Sequence, residues 1–163
     1  MTALNGGKAL GRIALRENSL GRDTAIGTGE SGMRRATGRP RRVLLVEDED
    51  MVRKVVSRML TSRGYEVQSA ASGAEAMALF DAPDLEDFDL LVTDLMMPDG
   101  GGLGVARSLT ARMPKLRVLL VSGYSSSGTE GWDPGRFRFL TKPFGSAELG
   151  KAIDELFQAT PTS

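Results

Sequence analysis

Short, uninterrupted apolar runs that alternate with helical patterns constrain the fold of this chain more than any other feature of its sequence. Residues 43–46 (VLLV), 89–93 (DLLVT) and 117–121 (RVLLV) are rich in aliphatic side chains, as expected of parallel strands that are buried on both faces. Residues 65–69 alternate weakly, like an edge strand, and the aromatic-rich residues 137–140 predict a last short strand. The pattern therefore predicts five strands.

Amphipathic helices are predicted between these strands. Apolar residues recur at helical spacing within residues 51–60, 76–80, 103–113 and 149–157. Gly64 and Pro114 would end the first and third of these helices. Ser72 and Ser146 are the predicted N-caps of the second and the last. Because strands and helices alternate with short connections, we expect a parallel sheet with helices on both faces.

The composition excludes several classes of chemistry. The chain has no Cys and no His, so it can form no disulfide, no thiolate or histidine zinc site, no cysteine nucleophile and no Ser-His-Asp triad. No apolar run approaches the ~18–20 residues that span a bilayer, and the first residues lack the apolar core of a secretory signal. We therefore expect a cytoplasmic protein whose chemistry depends on carboxylates, hydroxyls, lysine and backbone groups.

Charge divides the chain into two parts. Residues 1–42 hold nine Lys or Arg against three Asp or Glu (+6), whereas residues 43–163 hold twelve against eighteen (−6). Residues 1–42 also contain eight glycines and no aromatic residue. We predict a disordered basic Gly/Arg-rich arm over residues 1–41, a folded domain over 42–159 and a tail over 160–163. The arm could be a linker, a remnant of an expression tag, the product of a start codon assigned too far upstream, or a segment that contacts an anionic partner. We expect it to be dispensable for folding.

Polar side chains follow the buried strands at the point where each strand ends. Glu47 and Asp48 follow the first, Asp94 the second, Ser122 the third, and Lys142 the last. In open parallel sheets the carboxyl ends of the strands meet at one edge, where ligands bind. These groups should therefore converge in one pocket.

This set of groups favours phosphoryl chemistry. Three carboxylates in a small site repel one another unless a cation lies among them, and oxygen ligands suit a hard divalent ion such as Mg²⁺. A metal, a lysine and a hydroxyl together compensate the oxygens of a phosphoryl group. Without His or Cys, the plausible nucleophile is a carboxylate, which would give an acyl phosphate.

Four motifs carry a family resemblance. VLLVEDED, DLLVTDLMMPDGGG, VLLVSGY and FLTKPF, in this order, resemble the receiver domain of two-component response regulators, and most resemble receivers of hybrid histidine kinases. The resemblance covers residues 42–159. It implies a flavodoxin-like, doubly wound α/β fold, with a five-stranded parallel sheet in the order 2-1-3-4-5.

The resemblance also implies a function. The chain would be a phosphoacceptor signalling module with at most slow autodephosphorylation, and not a turnover enzyme. Its donor would be a histidine kinase or a histidine phosphotransfer protein. We expect a monomer before phosphorylation, and we expect neither a DNA-binding domain nor a membrane contact. The downstream target stays open, as does whether this is a stand-alone protein or a fragment.

Roles at the acidic edge follow from the matched motifs. Asp94 would be the phosphoacceptor and a Mg²⁺ ligand, Asp48 would bind the ion directly and Glu47 would bind it through water. The backbone carbonyl of Met96 would be a further ligand. Glu47 stands where the family often has aspartate, a variation that the family tolerates.

The remaining motif residues would transmit the signal. Ser122 would hydrogen-bond the phosphoryl group and shift with it. Lys142 would pair with the acceptor or its phosphate, and the Lys142–Pro143 peptide would be cis. Phe139 would be an aromatic switch that turns inward on activation, and Gly123 would leave the acceptor open to a donor.

The chain departs from the family pattern before its last strand. A receiver normally has a full fourth helix there, but residues 124–139 read YSSSGTEGWDPGRFRF. Each glycine costs a helix up to ~1 kcal/mol relative to alanine, and an interior proline costs ~3 kcal/mol. No Val, Leu or Ile lies between Ser122 and Leu140 to anchor a helix. We predict that this helix is short, frayed or replaced by a loop.

Two other functions stay open from the sequence. One is a haloacid-dehalogenase-like phosphatase, since Asp48-Glu49-Asp50 has the Asp-x-Asp spelling of that family. That scheme needs a further acidic metal motif after the lysine, and it gives no role to Asp94. The other is a non-phosphorylated receiver-like interaction module, a class that typically loses the acceptor or the acidic pair.

Overall fold

The computed structural model describes residues 34–83, 87–124 and 132–160. Five strands and four helices form along these residues, and they alternate except where β5 follows β4. In chain order they are β1 (Arg42–Val46), α1 (Asp50–Ser62), β2 (Glu66–Ala70), α2 (Gly73–Phe80), β3 (Leu90–Asp94), α3 (Gly101–Arg112), β4 (Arg117–Ser122), β5 (Phe137–Thr141) and α4 (Ser146–Gln158).

The strands form one parallel sheet in the order β2-β1-β3-β4-β5, which confirms the predicted topology. β1 pairs with β2 on one side and with β3 on the other, so the strand order reverses next to β1. Val46 is paired with Thr93, and Ser122 is paired with Thr141. This register brings the carboxyl ends of β1, β3, β4 and β5 to one edge of the sheet, here called the carboxyl edge.

Alternate residues of the central strands point into two separate apolar cores. Val43 and Leu45 of β1 pack with α1 and α4, where Leu60 and Ile153 are fully buried. Leu44 and Val46 pack on the other face with α2 and α3. The sheet is therefore covered on both faces, which explains why its central strands are continuous apolar runs.

One of the two predicted helix caps is confirmed and the other is wrong. Ser72 is the N-cap of α2, and its hydroxyl accepts from the Glu75 N–H at 3.1 Å. Ser146 is not the N-cap of α4 but its first residue, and Gly145 is the N-cap in extended backbone. Glu148 reaches back to accept from the Gly145 N–H at 2.9 Å. This contact does not need a hydroxyl at the N-cap, so the helix begins one residue earlier than predicted.

The connection between β4 and β5 contains no helix in the parts that the structure describes. Its last residues form turns, and Trp132 packs edge-on against Phe137 with ring centroids 4.1 Å apart. Residues 125–131, the middle of the predicted degenerate helix, lie outside the described residues.

Residues 34–41 contact the start of the sheet. Arg34 and Pro40 form an antiparallel bridge around a tight turn. The Arg35 guanidinium lies 2.8 Å from an Asp89 carboxylate oxygen, which also accepts from the Arg42 backbone N–H at 2.8 Å. The remainder of the predicted arm, residues 1–33, and the tail residues 161–163 lie outside the described residues.

Arg117 joins the start of β4 to the end of α4. Its guanidinium donates to the carbonyl oxygen of Ala159 at 3.1 Å and to that of Leu156. The last described residues therefore lie at the amino ends of the strands. Across the described ranges, the structure has no helix that is both long and apolar enough to cross a bilayer.

Candidate functional site

Three carboxylates meet at the carboxyl edge of the sheet. Asp94 is the last residue of β3, Glu47 directly follows β1, and Asp48 is the next residue along the chain. One carboxylate oxygen from each lies within 4.8 Å of the others. Glu47 and Asp94 are buried, whereas Asp48 is exposed. The structure thus brings together the acidic residues that the sequence singled out.

The ammonium of Lys142 bridges two of these acids. Its Nζ lies 2.7 Å from Asp94 Oδ2 and 3.0 Å from Glu47 Oε2. The Lys142 backbone N–H donates to the Ser122 carbonyl at 2.8 Å, so the ladder between β4 and β5 positions the side chain. The Lys142–Pro143 peptide is cis, as the resemblance implied.

Burial and the ion pairs have opposite effects on the pKa values of Glu47 and Lys142. Burial is the main reason that the pKa of Glu47 is raised above its ordinary value, and Lys142 and the Glu49 N–H offset only part of it. Burial also lowers the pKa of Lys142, but its hydrogen bonds to Asp94 and Glu47 outweigh that effect, so its pKa is raised. Lys142 is therefore a fixed positive charge at neutral pH.

A tightly packed loop follows the central carboxylate. We call residues 95–100 the acceptor loop. The Met96 N–H donates to Asp94 Oδ1 at 2.8 Å, and the Leu95 N–H donates to the Val121 carbonyl at 2.8 Å. A Cβ on Gly102 would lie 2.0 Å from the Asp94 carbonyl oxygen. Only glycine fits there, because the first turn of α3 presses on the end of β3.

The predicted signalling residues lie on β4 and β5. Ser122 is 1% exposed, and its hydroxyl accepts from the Tyr124 N–H at 3.1 Å. A Cβ on Gly123 would meet no atom of the described residues within 4 Å, so these residues leave the space beside the site open. Phe139 is half-buried in β5 opposite Leu120 and packs on the core that faces α2 and α3. Phe139 therefore lies on the strand that leads to Lys142.

Two open spaces flank the carboxylates. A cavity of about 720 Å³ extends from Asp48 and Ser122 along the acceptor loop to Tyr124. A smaller apolar groove of about 320 Å³ lies on the other side of Lys142, and we call it the α1 groove. Its lining residues are Met51, Val52, Val55, Val56, Met59, Lys142, Pro143 and Phe144.

Asp50 does not join the acidic cluster. It lies in the first turn of α1, where its carboxylate oxygens are 2.8 Å from Arg53 and 2.7 Å from Lys54. The Asp-x-Asp arrangement that a haloacid-dehalogenase-like phosphatase would need is therefore not assembled. The third acid of the site is the sequence-distant Asp94 instead.

Sequence reasoning missed two contacts near the site. Arg53 donates to the Glu47 carbonyl at 2.8 Å, and Asp99 accepts from the Gly73 N–H at 2.7 Å. Arg53 follows Asp50 by three residues on α1, a spacing that predicts their ion pair but not the contact with Glu47. No local pattern links Asp99 to a helix that begins 26 residues earlier.

All the candidate ligand atoms are oxygens. The three carboxylates and the backbone carbonyl of Met96, which follows Asp94 by two residues, form a donor set that suits a hard divalent cation. Burial raises the pKa of Glu47, and a cation nearby would favour its charged form. The residues therefore fit a Mg²⁺ ion.

Comparisons with known proteins agree with this site. A family profile described as "Response regulator receiver domain" matches residues 43–154. Over 118 residues the chain is 39% identical to the sensor kinase CckA of Brucella abortus, which covers 71% of this chain but 12% of the kinase. Over 121 residues it is 30% identical to the response regulator receiver protein CpdR of the same organism, covering 73% of this chain and 98% of CpdR.

The chain spans only part of several of these relatives. Besides 12% of CckA, it covers 54% of TcrX, a probable transcriptional regulatory protein of Mycobacterium tuberculosis that is 34% identical over 130 residues. What those whole proteins do is therefore not established for this chain by similarity.

Solved structures with the same fold include two informative cases. The response regulator TrrA of Thermotoga maritima, solved in complex with Mg(2+)-BeF, is 28% identical with a TM-score of 0.61, covering 71% of this chain and 98% of TrrA. The receiver domain of the hybrid histidine kinase CckA is 34% identical with a TM-score of 0.57, covering 72% of this chain and 99% of that domain. Sequence profile, fold and site agree, and the chain belongs to the response regulator receiver domain family.

Proposed function

We propose that the domain accepts a phosphoryl group on Asp94 from a phosphohistidine of a partner protein. The observation that carries this proposal is how the Asp94 carboxylate is held. Lys142 contacts Oδ2 at 2.7 Å and the Met96 N–H contacts Oδ1 at 2.8 Å. One carboxylate is thus oriented at the open end of the sheet, with a fixed positive charge beside it.

The transfer is a displacement at phosphorus. A carboxylate oxygen of Asp94 forms the new O–P bond, and the N–P bond to the donor imidazole breaks. The electron pair of that bond stays on the imidazole nitrogen, and the product on the acceptor is an acyl phosphate. Lys142 and the Ser122 hydroxyl would compensate the charge on the phosphoryl oxygens.

Mg²⁺ is the cofactor that the donor set favours. Asp48 and Asp94 would bind it directly, Glu47 through water, and the Met96 carbonyl would complete the protein ligands. When bound, the ion supplies positive charge that the carboxylates and the phosphoryl oxygens both need. The Mg(2+)-BeF complex of TrrA, a protein of the same fold, supports this assignment.

Phosphorylation would be read out through β4 and β5. Ser122 is buried beside the acceptor, and Lys142 continues the strand that carries Phe139. A phosphoryl group that draws both toward Asp94 would pull on this strand and change the packing of the half-buried Phe139 ring. In Lys142→Ala, NMR resonances of Phe139 should no longer respond to phosphorylation.

The domain would act as an acceptor that loses its phosphoryl group slowly, and not as a turnover enzyme. The described residues at the site include no His or Cys that could activate water. Glu47 is tied to Lys142, Asp50 pairs with Arg53 and Lys54, and Asp48 is assigned to the ion. Hydrolysis would therefore rely on water that reaches the acyl phosphate through the open space at Gly123.

The α1 groove is where the donor protein would bind. Met51 and Val55 are 67% and 46% exposed, although both are apolar. Lys142 lines the same groove and also contacts Asp94, so a protein seated there would have direct access to the acceptor. This surface fits an apolar helix face of a histidine kinase or a histidine phosphotransfer protein.

Labelling with a small phosphodonor tests the assignment of the acceptor. With Mg²⁺ and a small phosphodonor such as acetyl phosphate, intact-mass analysis should show one phosphoryl group on the wild-type protein and none on Asp94→Asn. Labelling of Asp94→Asn, or labelling that needs no metal, would contradict the assignment of the site.

The partner surface needs a variant away from the acceptor. Val55→Glu should take phosphate from acetyl phosphate at the wild-type rate, but at least about tenfold more slowly from a phosphohistidine protein. Burial of an unpaired charge in an apolar interface is strongly unfavourable, and about 1.4 kcal/mol already corresponds to tenfold. Equal slowing with both donors would show that Val55 acts on the site and not on docking.

A further inference from the structure

We propose that Asp99 is a positioning residue for the acceptor, through a bond that ties the acceptor loop to the N-terminus of α2. This inference rests on the proposed function of Asp94. Asp99 touches neither the acidic cluster nor Lys142 among the described contacts. Its effect on the site would be exerted through the loop backbone that contains Met96.

The bond joins a carboxylate to the first turn of a helix. Asp99 Oδ2 lies 2.7 Å from the backbone nitrogen of Gly73, the first residue of α2. The Ser72 hydroxyl caps the Glu75 N–H of the same turn, so each side chain satisfies a different free N–H of the helix. A carboxylate at this end of a helix gains from the helix dipole and from a charge-assisted hydrogen bond.

Asp99 ends a segment whose other end is at the acceptor. The Leu95 N–H is bound to Val121 and the Met96 N–H to Asp94, each at 2.8 Å. Gly100 and Gly101 then follow with φ of 101° and 75°, which turns the chain into α3. The bond from Asp99 to α2 therefore fixes the acceptor loop at the end that is far from Asp94.

Gly73 is shaped for this contact. A Cβ on Gly73 would lie 2.9 Å from Val105 Cγ2 and 3.4 Å from Asp99 Oδ2. The first of these distances is shorter than real Cβ contacts, so a side chain at this position would push α2 away from α3 and from the acceptor loop. The absence of a side chain lets the Gly73 N–H reach the carboxylate.

Release of this bond should loosen the groups that face Asp94. Met96 lies three residues before Asp99, and it supplies both the N–H that orients the acceptor and the carbonyl assigned to Mg²⁺. Freedom at Asp99 would therefore weaken the Met96–Asp94 hydrogen bond and lower the affinity for the ion. Through this bond the position of α2 would also affect the acceptor.

The test compares four variants of the full chain. Asp99→Ala removes the bond, Asp99→Asn keeps an acceptor oxygen, and Gly73→Ala disturbs the same bond from the helix side. Asp81→Ala is the matched control, because Asp81 lies at the other end of α2 and pairs with Arg112 of α3 at 2.7 Å. Two readouts are measured: amide hydrogen exchange of Met96 without metal, and the Mg²⁺ dissociation constant by calorimetry.

The inference gives a specific pattern. Asp99→Ala and Gly73→Ala should exchange the Met96 amide faster and raise the Mg²⁺ dissociation constant at least about threefold, which is less than the ~10–100-fold of groups that contact a metal ligand directly. Asp99→Asn should lie closer to wild type, and Asp81→Ala should equal wild type in both readouts.

Either of two results would overturn the inference. Both readouts could stay at the wild-type values in Asp99→Ala, or Asp81→Ala could change them as much as Asp99→Ala does. The proposed function is judged separately by labelling of the wild-type protein. If the wild-type protein were not labelled, the proposed function would be wrong. Hydrogen exchange of the Met96 amide would still decide whether Asp99 positions the loop.

Discussion

Glu47 illustrates at the residue scale how a group that serves the site can be unfavourable for folding. Its carboxylate is buried, and burial raises its pKa because the charged form loses solvation. Lys142 contacts it at 3.0 Å and recovers part of that loss. The buried carboxylate therefore lowers the stability of the metal-free domain, which is common for residues of a functional site.

This raised pKa gives a pH dependence with a defined sign. The folded state holds the Glu47 proton more tightly than the unfolded state, whose value is near 4.5. The contribution of Glu47 to stability is therefore fully present below that pH, and it is lost as pH rises through the raised folded value. In metal-free buffer, Glu47→Gln should lack this loss, and its stability relative to wild type should therefore increase from pH 4.5 to pH 7.

Urea denaturation of both proteins between pH 4.5 and pH 7 checks this prediction. The difference in the free energy of unfolding between Glu47→Gln and wild type should grow as pH rises. A difference that stays constant across this range would show that burial does not raise the pKa of Glu47.

Sequence reasoning located the strand-end residues because each is a polar residue at the end of a strand, where packing of the apolar core does not require one. Glu47, Asp94 and Lys142 come together in space because a parallel sheet aligns its carboxyl ends. Asp99 could not be found in this way, since its partner Gly73 is chosen by how two helices and a loop pack. Ser146 was assigned to the wrong cap position because Glu148 supplies the cap contact instead.

At the scale of elements, the start of α3 shows where local propensity is overruled. The apolar pattern places the helix at residues 103–113, but it begins at Gly101. Glycine disfavours helix in isolation. Here the start of the helix lies very close to the end of β3. A Cβ on Gly101 would meet the Leu95 carbonyl oxygen at 2.7 Å, and a Cβ on Gly102 would meet the Asp94 carbonyl oxygen at 2.0 Å. A side chain at either position would prevent this packing, so the helix begins with glycines. Sequence patterns do not contain this close approach.

Two glycines of α3 should therefore respond oppositely to the same substitution. Gly102→Ala should destabilise the domain by about 1–3 kcal/mol, because the methyl group overlaps the Asp94 carbonyl and the Thr93 hydroxyl. Gly104→Ala is the control: a Cβ there meets no atom within 4 Å in the part of the chain that the structure describes, and alanine in a helix gains up to ~1 kcal/mol.

Chemical denaturation of the two variants measures this contrast. Phosphate labelling adds a second readout, since displacement of the end of β3 in Gly102→Ala should also slow labelling of Asp94. Equal stabilities for the two variants would mean that the contact between α3 and β3 is not tight.

At the scale of the whole molecule, the ion pair between Arg35 and Asp89 is one of the contacts that join the end of the predicted arm to the domain. The Arg35 and Asp89 side chains are 24% and 18% exposed, and Asp89 also accepts from the start of β1. Residues 34–41 are thus attached to the domain before β1 begins. The sequence could not show this, because Arg35 is one of several arginines with no distinguishing pattern.

Two truncations should separate the parts of the arm. Deletion of residues 1–33 should leave the thermal midpoint nearly unchanged, because these residues show no apolar periodicity. Deletion of residues 1–40 removes Arg35 and should lower the midpoint by about 3–6 °C, which corresponds to about 1 kcal/mol.

Arg35→Ala in the full chain is the matched comparison for the longer deletion. It should reproduce most of the shift in the thermal midpoint. If the deletion of residues 1–40 were as stable as wild type, the contact with Asp89 would contribute nothing to folding.

The hydrogen bonds of Arg117 have a consequence for how this unit can be joined to others. By holding the carbonyls of Leu156 and Ala159 at the beginning of β4, Arg117 places the outgoing chain at the amino end of the sheet, where Arg42 begins β1. Both points of covalent attachment thus lie opposite Asp94. A neighbouring module could be fused before or after the unit while the donor's approach to the acceptor stays clear. This layout suits a domain that occurs in proteins of different architecture. The matched region makes up 12% of the sensor kinase CckA but 98% of CpdR.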